Sequence, residues 1–286
     1  MTESDQTGAT VQSRSDAQGT ESSAARIGQI NFINCLPLVL PIASGAVSLA
    51  GSTTMGTPAQ LNQQLARGEL DLASVSSYFY LSQANLELVP DLSISSDGPV
   101  GSVLFFSRSE GKGLHRKKVQ VPEASATSVN LLRVLLAEYY GAYCQMVPAP
   151  APNMDDPEFD GALVFGDRAL LVDADWSRRF NRLDLGEWWQ RTAGGPMVFG
   201  VWAVRKEFVA QKQEQYVQSA AGLKAAKALG LGSMLEEVIQ EGQQRTGLDR
   251  ERLRRYYKDE LNFELTHRHR DSLELYAALC MKHRLL

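Results

Sequence analysis

Apolar and β-branched residues over Arg26–Ile33 follow a strand pattern, and the run leads straight into Asn34-Cys35-Leu36-Pro37, read as a loop at the strand's end. A second strand is predicted near Val47–Thr53. Thr57-Pro58-Ala59-Gln60 then has the form of a capping box with proline at the first helical position, and Gly68 closes the helix that Leu61 and Leu65 anchor. Leu70–Val75 reads as a buried strand, Ser77–Gln83 as a short helix and Leu86–Ser95 as a further strand. This β-α-β alternation predicts a largely parallel sheet, whose ligands gather at the carboxyl ends of the strands. The Gly/Pro-punctuated passage from Ser95 to Ser102 precedes the apolar strand Val103–Phe106 and is a candidate hinge.

A second α/β set follows: strand Lys118–Val121, helix Ser128–Tyr140 behind Ser125-Ala126-Thr127, strand Tyr143–Val147, a Pro-rich loop and strand Ala162–Phe165. Gly194-Gly195-Pro196 introduces the apolar strand Met197–Val204, the expected return crossing, after which Glu207–Leu229, Ser233–Arg245 and Asp249–Lys258 read as helices. The expected organisation is two α/β lobes joined by two crossings: 26–100 plus 197–286 in the first lobe and 101–196 in the second. No fixed-period repeat and no sustained heptad points to a solenoid or a coiled coil.

Composition narrows the partners. The 286 residues are 44% hydrophobic, enough for a substantial core, and carry 33 acidic against 29 basic residues for a net charge of −4. That balance argues against a nucleic-acid surface. Residues 1–25 hold Glu3, Asp5, Asp16 and Glu21 against Arg14 and no aromatic residue, a composition expected to remain disordered. They also lack the basic start and apolar run of a secretory signal, and no stretch approaches the roughly 18 apolar residues of a membrane span, so a cytoplasmic protein without a membrane contact is expected. Cys35, Cys144 and Cys280 are scattered and odd in number, as expected of reduced core thiols.

The chemistry of common catalytic motifs is missing. His115, His267, His269 and His283 each lie beside Arg or Lys, so no metal site and no cofactor are expected. There is no nucleophile elbow, phosphate loop or dinucleotide fingerprint. What remains is a series of small polar loops at strand ends, containing Asn34, Ser76, Ser96, Asp97, Gly98, Gly101, Ser102, Thr127, Ser128 and Asp167. Hydroxyls, an amide and free backbone N–H groups suit a carboxylate, and a helix headed by Thr127-Ser128 could hold an anion without Lys or Arg. The same residues also read as ordinary caps and turns, Asp167-Arg168 as an ion pair, and Trp188, Trp189 and Trp202 as packing aromatics.

These loops also carry a family resemblance. Ile30-Asn31-Phe32-Ile33-Asn34-Cys35-Leu36-Pro37-Leu38, Gly68-Glu69-Leu70-Asp71-Leu72-Ala73, Pro90-Asp91-Leu92, Ser96-Asp97-Gly98-Pro99-Val100-Gly101-Ser102 and Gly166-Asp167-Arg168-Ala169-Leu170 resemble, in order, the MqnA family of chorismate dehydratases, which open the futalosine route to menaquinone. The resemblance implies a type II periplasmic-binding-protein-like fold with a two-stranded hinge, and a reaction in which chorismate loses water to become 3-enolpyruvylbenzoate. It places the family's active-site Asn and Ser on Asn34 and Ser102. The substrate's own enolpyruvyl carboxylate is expected to take the proton, with Asp97 as the rival base, while Ser76, Ser96, Asp97, Gly98, Gly101, Thr127, Ser128 and Asp167 are the expected binding residues. The competing expectations are a non-catalytic carboxylate-binding protein of the same fold, the later naphthoate-forming enzyme of that route, expected to use a histidine, and a transcription effector domain.

Overall fold

The computed structural model describes residues 24–286, so the expectation of a disordered 1–25 extension falls almost wholly outside the described residues. Ten strands form two sheets: β1 Ala25–Ile30, β2 Gly51–Gly56, β3 Leu72–Ser76, β4 Leu86–Ser96, β5 Val103–Ser107, β6 Lys118–Pro122, β7 Gln145–Ala149, β8 Gly161–Phe165, β9 Asn181–Asp184 and β10 Met197–Arg205. The first sheet has the order β2-β1-β3-β10-β4 and the second β7-β6-β8-β5-β9. In each, the central strands are parallel and one strand is reversed: β10 is antiparallel to β3 and β4, and β5 to β8 and β9. The expectation of a largely parallel sheet is refined accordingly. A chain leaving one sheet at its carboxyl edge enters the facing sheet from that same edge, so the crossing strand must run against its new neighbours.

Among the described residues eleven α-helices cover the sheets: α1 Leu36–Ala43, α2 Pro58–Ala66, α3 Ser77–Leu81, α4 Ala126–Tyr140, α5 Asp167–Trp176, α6 Leu185–Ala193, α7 Lys206–Gln211, α8 Gln213–Leu231, α9 Leu235–Thr246, α10 Arg250–Arg255 and α11 His267–Lys282. The capping box at α2 forms as read, with Thr57 Oγ1 accepting from Gln60 N and Gln60 Oε1 accepting from Thr57 N. Three regions depart from expectation. The segment after Asn34 is a helix, α1, because Pro37 falls in its first turn, where no N–H is needed. Its internal Pro41 leaves the Pro37 carbonyl without the usual amide partner, and Gly230 of α8 packs so closely there that a Cβ would lie 1.8 Å from that oxygen. The predicted Glu207–Leu229 helix is two helices, broken at Lys212, whose φ of −136° is not helical. Finally, α5, α6, β9 and α11 had no counterpart in the sequence reading.

The main apolar core runs between the first sheet and its helices and continues through α4 and α6 onto one face of the second sheet. A separate cluster of Leu104, Phe106, Met154, Ala162, Val164, Ala169 and Trp176 fills the other face of the second sheet. Cys35 and Cys280 are buried, Cys144 is partly so, and all three are free thiols. Among the described residues no helix is long and apolar enough to cross a membrane.

Candidate functional site

The carboxyl ends of β1, β3, β6 and β8 converge with the starts of β5 and β10 on one cavity of about 90 Å³ between the sheets. Its polar lining comes from both sides: Asn34, Ser74 and Ser76 from the first lobe, and Ser102, Ser125, Thr127 and Ser128 from the second. Ile30, Phe32, Val75, Ile94, Val103, Phe165, Val201 and Trp202 supply apolar walls, and no lining side chain carries a formal charge. Hydrogen bonds formed in such a space gain strength from the low local dielectric.

Each polar group has a specific local setting. Asn34 lies in a single 3-10 turn between β1 and α1, and its buried Oδ1 has no hydrogen-bond partner. Trp202 Nε1, fully buried in β10, likewise has none. Ser102 Oγ accepts from Tyr256 Oη at 3.0 Å. Thr127 is bound from the opposite lobe twice, its Oγ1 accepting from Tyr78 N at 2.9 Å and its carbonyl from Tyr276 Oη at 3.0 Å. Ser125 and Ser128 share a hydroxyl hydrogen bond of 2.8 Å. At the head of α4 the first helical bond is Val129 N to Ser125 O, so the preceding amides have no acceptor within the helix. A 15-residue helix thus presents bare N–H groups and its positive dipole end to the cavity wall. Ser76 caps α3 by accepting from Phe79 N, and Ser74 Oγ accepts from Ile30 N. Both serine oxygens have their acceptor capacity partly used, while their O–H groups remain donors. Cys35, beside Asn34 and fully buried, has its thiol pushed up to about 12 by desolvation and then by the charge of Asp167. Its neutral thiol forms part of the cavity wall.

Five of the residues singled out in the sequence are elsewhere. Ser96 is fully buried and its Oγ donates to Gly98 O within the turn that joins β4 to β5. Asp97 turns outward to pair with Arg268 Nη1 at 3.0 Å, and Gly98, with φ +132°, serves the turn's backbone. Gly101 has φ +66° and faces Glu260, whose Oε2 would lie 2.1 Å from an added Cβ. Asp167 does not line the cavity; its Oδ1 accepts from Ile33 N at 3.4 Å across the lobe boundary. Burial raises its carboxyl above the ordinary carboxylate range, with the Ile33 amide and then the charge of Arg245 opposing the shift. These residues shape the crossing or bridge the lobes and do not face the cavity.

Three further contributors lie outside the strand-end loops. Asp184, which no motif marked, caps α6 and also accepts from Val100 N and Gly101 N at 3.0 and 2.8 Å, so it folds the β4–β5 crossing into shape. Trp202, in sequence a packing aromatic in preference to a stacking platform, lines the cavity. Tyr256 belongs to a segment read as a plain charged helix, where two adjacent aromatics amid Arg, Lys and Glu were the only signal. No histidine lines the cavity.

A family model described as menaquinone biosynthesis matches residues 25–282. A chorismate dehydratase of Thermus thermophilus is 35% identical over 215 residues, covering 67% of this chain and 73% of that protein. Among solved structures, protein AF1704 of Archaeoglobus fulgidus superposes with a TM-score of 0.74 at 19% identity, covering 93% of this chain and 100% of that one. The alkanesulfonate-binding protein SsuA of Xanthomonas axonopodis pv. citri, bound to MOPS, does so with a TM-score of 0.67 at 17% identity, covering 92% and 94%. These structural likenesses establish a fold of the type II periplasmic-binding-protein kind, the architecture that the resemblance of the strand-end loops implied.

Proposed function

The chain belongs to the menaquinone biosynthesis family, and from that premise we propose that it is a chorismate dehydratase, a carbon–oxygen lyase that converts chorismate to 3-enolpyruvylbenzoate and water. The observation that carries the reading is a single cavity in which Asn34 and Ser102, supplied by opposite lobes, face the same space with no acidic or basic side chain between them. Elimination across C3 and C4 of chorismate makes the ring aromatic, so the driving force resides in the substrate. The protein has to align the groups that react.

In this mechanism the enolpyruvyl carboxylate removes the C3 proton, the C3–H electron pair becomes the new ring π bond, and the C4 hydroxyl departs with the C4–O electron pair and takes up that same proton from the carboxyl to leave as water. Asn34 orients the enolpyruvyl carboxylate through its amide. Ser102 directs its O–H to the C4 oxygen, whose negative charge grows as the bond breaks. The bare amides at the head of α4, with Thr127 and Ser128, hold the ring carboxylate, and Trp202 Nε1 is a further unpaired donor for an oxygen of the same ligand. Asp97, the alternative base, is turned to Arg268 outside the cavity, which favours the carboxylate of the substrate as proton acceptor.

A neutral, donor-lined cleft also suits a protein that only captures carboxylates, and one experiment separates the two. Chorismate incubated with the protein should lose its diene absorbance and yield a product lighter by one water in mass spectrometry. Persistence of the diene together with a raised melting temperature would establish binding without chemistry, and neither change would remove chorismate as the ligand.

A further inference from the structure

Ser102 is held from a distant part of the chain. α10 ends at Arg255, after which the backbone makes a π-helical turn, Tyr256–Glu260, before becoming extended at Leu261. A turn of this kind departs from the regular ladder and re-aims its side chains. Tyr256 Oη reaches Ser102 Oγ at 3.0 Å, and Tyr257 Oη reaches the carbonyl of Ile33, the residue before Asn34, also at 3.0 Å. The two rings lie 5.4 Å apart, and both are buried. Arg252 and Arg255 bind Glu260 at 2.9 and 3.1 Å and so tie the end of the turn back to the helix before it. The same Glu260 sits against Gly101, next to Ser102 in the chain.

The direction of the Tyr256–Ser102 bond matters. A phenol is a far better proton donor than an alcohol, so Tyr256 donates and the serine oxygen accepts. Burial pushes the Tyr256 phenol well above its ordinary value, which keeps the donor protonated throughout the working range. A serine hydroxyl has one hydrogen. With an oxygen lone pair engaged by Tyr256, that hydrogen is free for the cavity that Ser102 lines.

We propose that Tyr256 is a positioning residue that fixes Ser102 as a hydrogen-bond donor toward the departing C4 hydroxyl, an inference that rests on the chorismate dehydratase reading. Tyr256 itself touches no reacting atom. Tyr256→Phe keeps the ring and removes only the hydroxyl, so kcat should fall about tenfold with KM within about twofold, because the contact matters chiefly as charge develops. Ser102→Ala should cost about a hundredfold, and the double variant should be no slower than Ser102→Ala alone, since the phenol then has nothing to hold. A second readout is independent of turnover. The buried Tyr256 hydroxyl proton should give a slowly exchanging NMR signal that vanishes in Tyr256→Phe and moves in Ser102→Ala, a variant that leaves Tyr256 in place. An unchanged kcat in Tyr256→Phe, losses that multiply in the double variant, or a hydroxyl signal unmoved by Ser102→Ala would each overturn the assignment. Failure of wild-type protein to dehydrate chorismate would instead defeat the functional reading on which the inference rests, while the NMR comparison would still decide whether Tyr256 holds Ser102.

Discussion

The two lobes are built on one plan and finished differently. Each sheet has three successive parallel strands, then a reversed strand that arrives from the other lobe, then an edge strand whose neighbour in the sheet is the reversed one. The second lobe adds little beyond helices on its sheet and one small apolar cluster. The chain after β10 is helical, and that segment reaches Ser102 through Tyr256 and Thr127 through Tyr276. The sheets therefore bring the site residues into one region, and the C-terminal helices set their final orientation.

The contrast is open to direct attack. Phe106→Ala empties a fully buried position in the cluster peculiar to the second lobe and should lower unfolding free energy by about 4 kcal/mol in denaturant titrations, with turnover per folded molecule unchanged. A fall in kcat below the melting range would show that the cluster helps to set the site. Gly101→Ala forces a side chain at φ +66° into Glu260, where the C-terminal segment meets the crossing. It should cost about 3 kcal/mol and depress turnover as well, separating it from Phe106→Ala. Asn34→Ala should reduce kcat about a hundredfold, equivalent to about 2.7 kcal/mol, while chorismate binding by calorimetry changes little.

A smaller effect tests the first lobe's own framework. Asp71 accepts from the Arg26 guanidinium at 2.9 and 2.6 Å and from Arg26 N at 2.9 Å. Burial alone would raise its carboxyl, but the hydrogen bonds and charge of Arg26 outweigh burial and hold it below the ordinary value. A depressed folded-state value means stability that is present above about pH 4 and lost as pH falls through that region. Asp71→Asn should therefore cost about 1 kcal/mol at neutral pH, a small figure because the arginine is half-exposed, and the difference from wild type should shrink in acid melts. The smallest effect is expected for Asp97→Asn, which breaks a surface pair with Arg268 and should leave kcat and its pH profile within about twofold. A lost ionisation in that profile would reinstate Asp97 as the base.

Much of this was legible in the chain. Apolar runs bounded by Gly and Pro located nine of the ten strands, and Thr57-Pro58-Ala59-Gln60 located α2 by its capping chemistry. The polar strand-end loops pointed to Asn34, Ser76, Ser102, Thr127 and Ser128, all of which line the cavity, because carboxyl ends of parallel strands are where such folds collect their ligands. Other features depended on partners far along the sequence. Helix α1 hides behind two prolines, Pro37 harmless in its first turn and Pro41 leaving the Pro37 carbonyl unpaired where Gly230 packs against it. Ser96, Asp97, Gly98 and Gly101 share a motif with Ser102, yet a crossing of six residues points its side chains several ways, and of the motif only Val100 and Ser102 reach the cavity. Tyr256 acts on a serine 154 positions earlier, a distance over which no local pattern carries information.

The reversed strand of the first sheet has a further consequence for how the protein is made. Edge strand β4 has β10 as its neighbour in the sheet, which begins about 100 residues later, after the entire second lobe, and it also bridges Asn262 through Ser95, later still in the chain. At ribosomal rates of about 5–20 residues per second, β4 waits roughly 5–20 seconds for its neighbour, while the second sheet can assemble in the interval. A nascent chain halted before Met197 would hold a finished inner lobe beside an outer one with a gap in its sheet, a natural point of engagement for chaperones and a poor place to divide the gene.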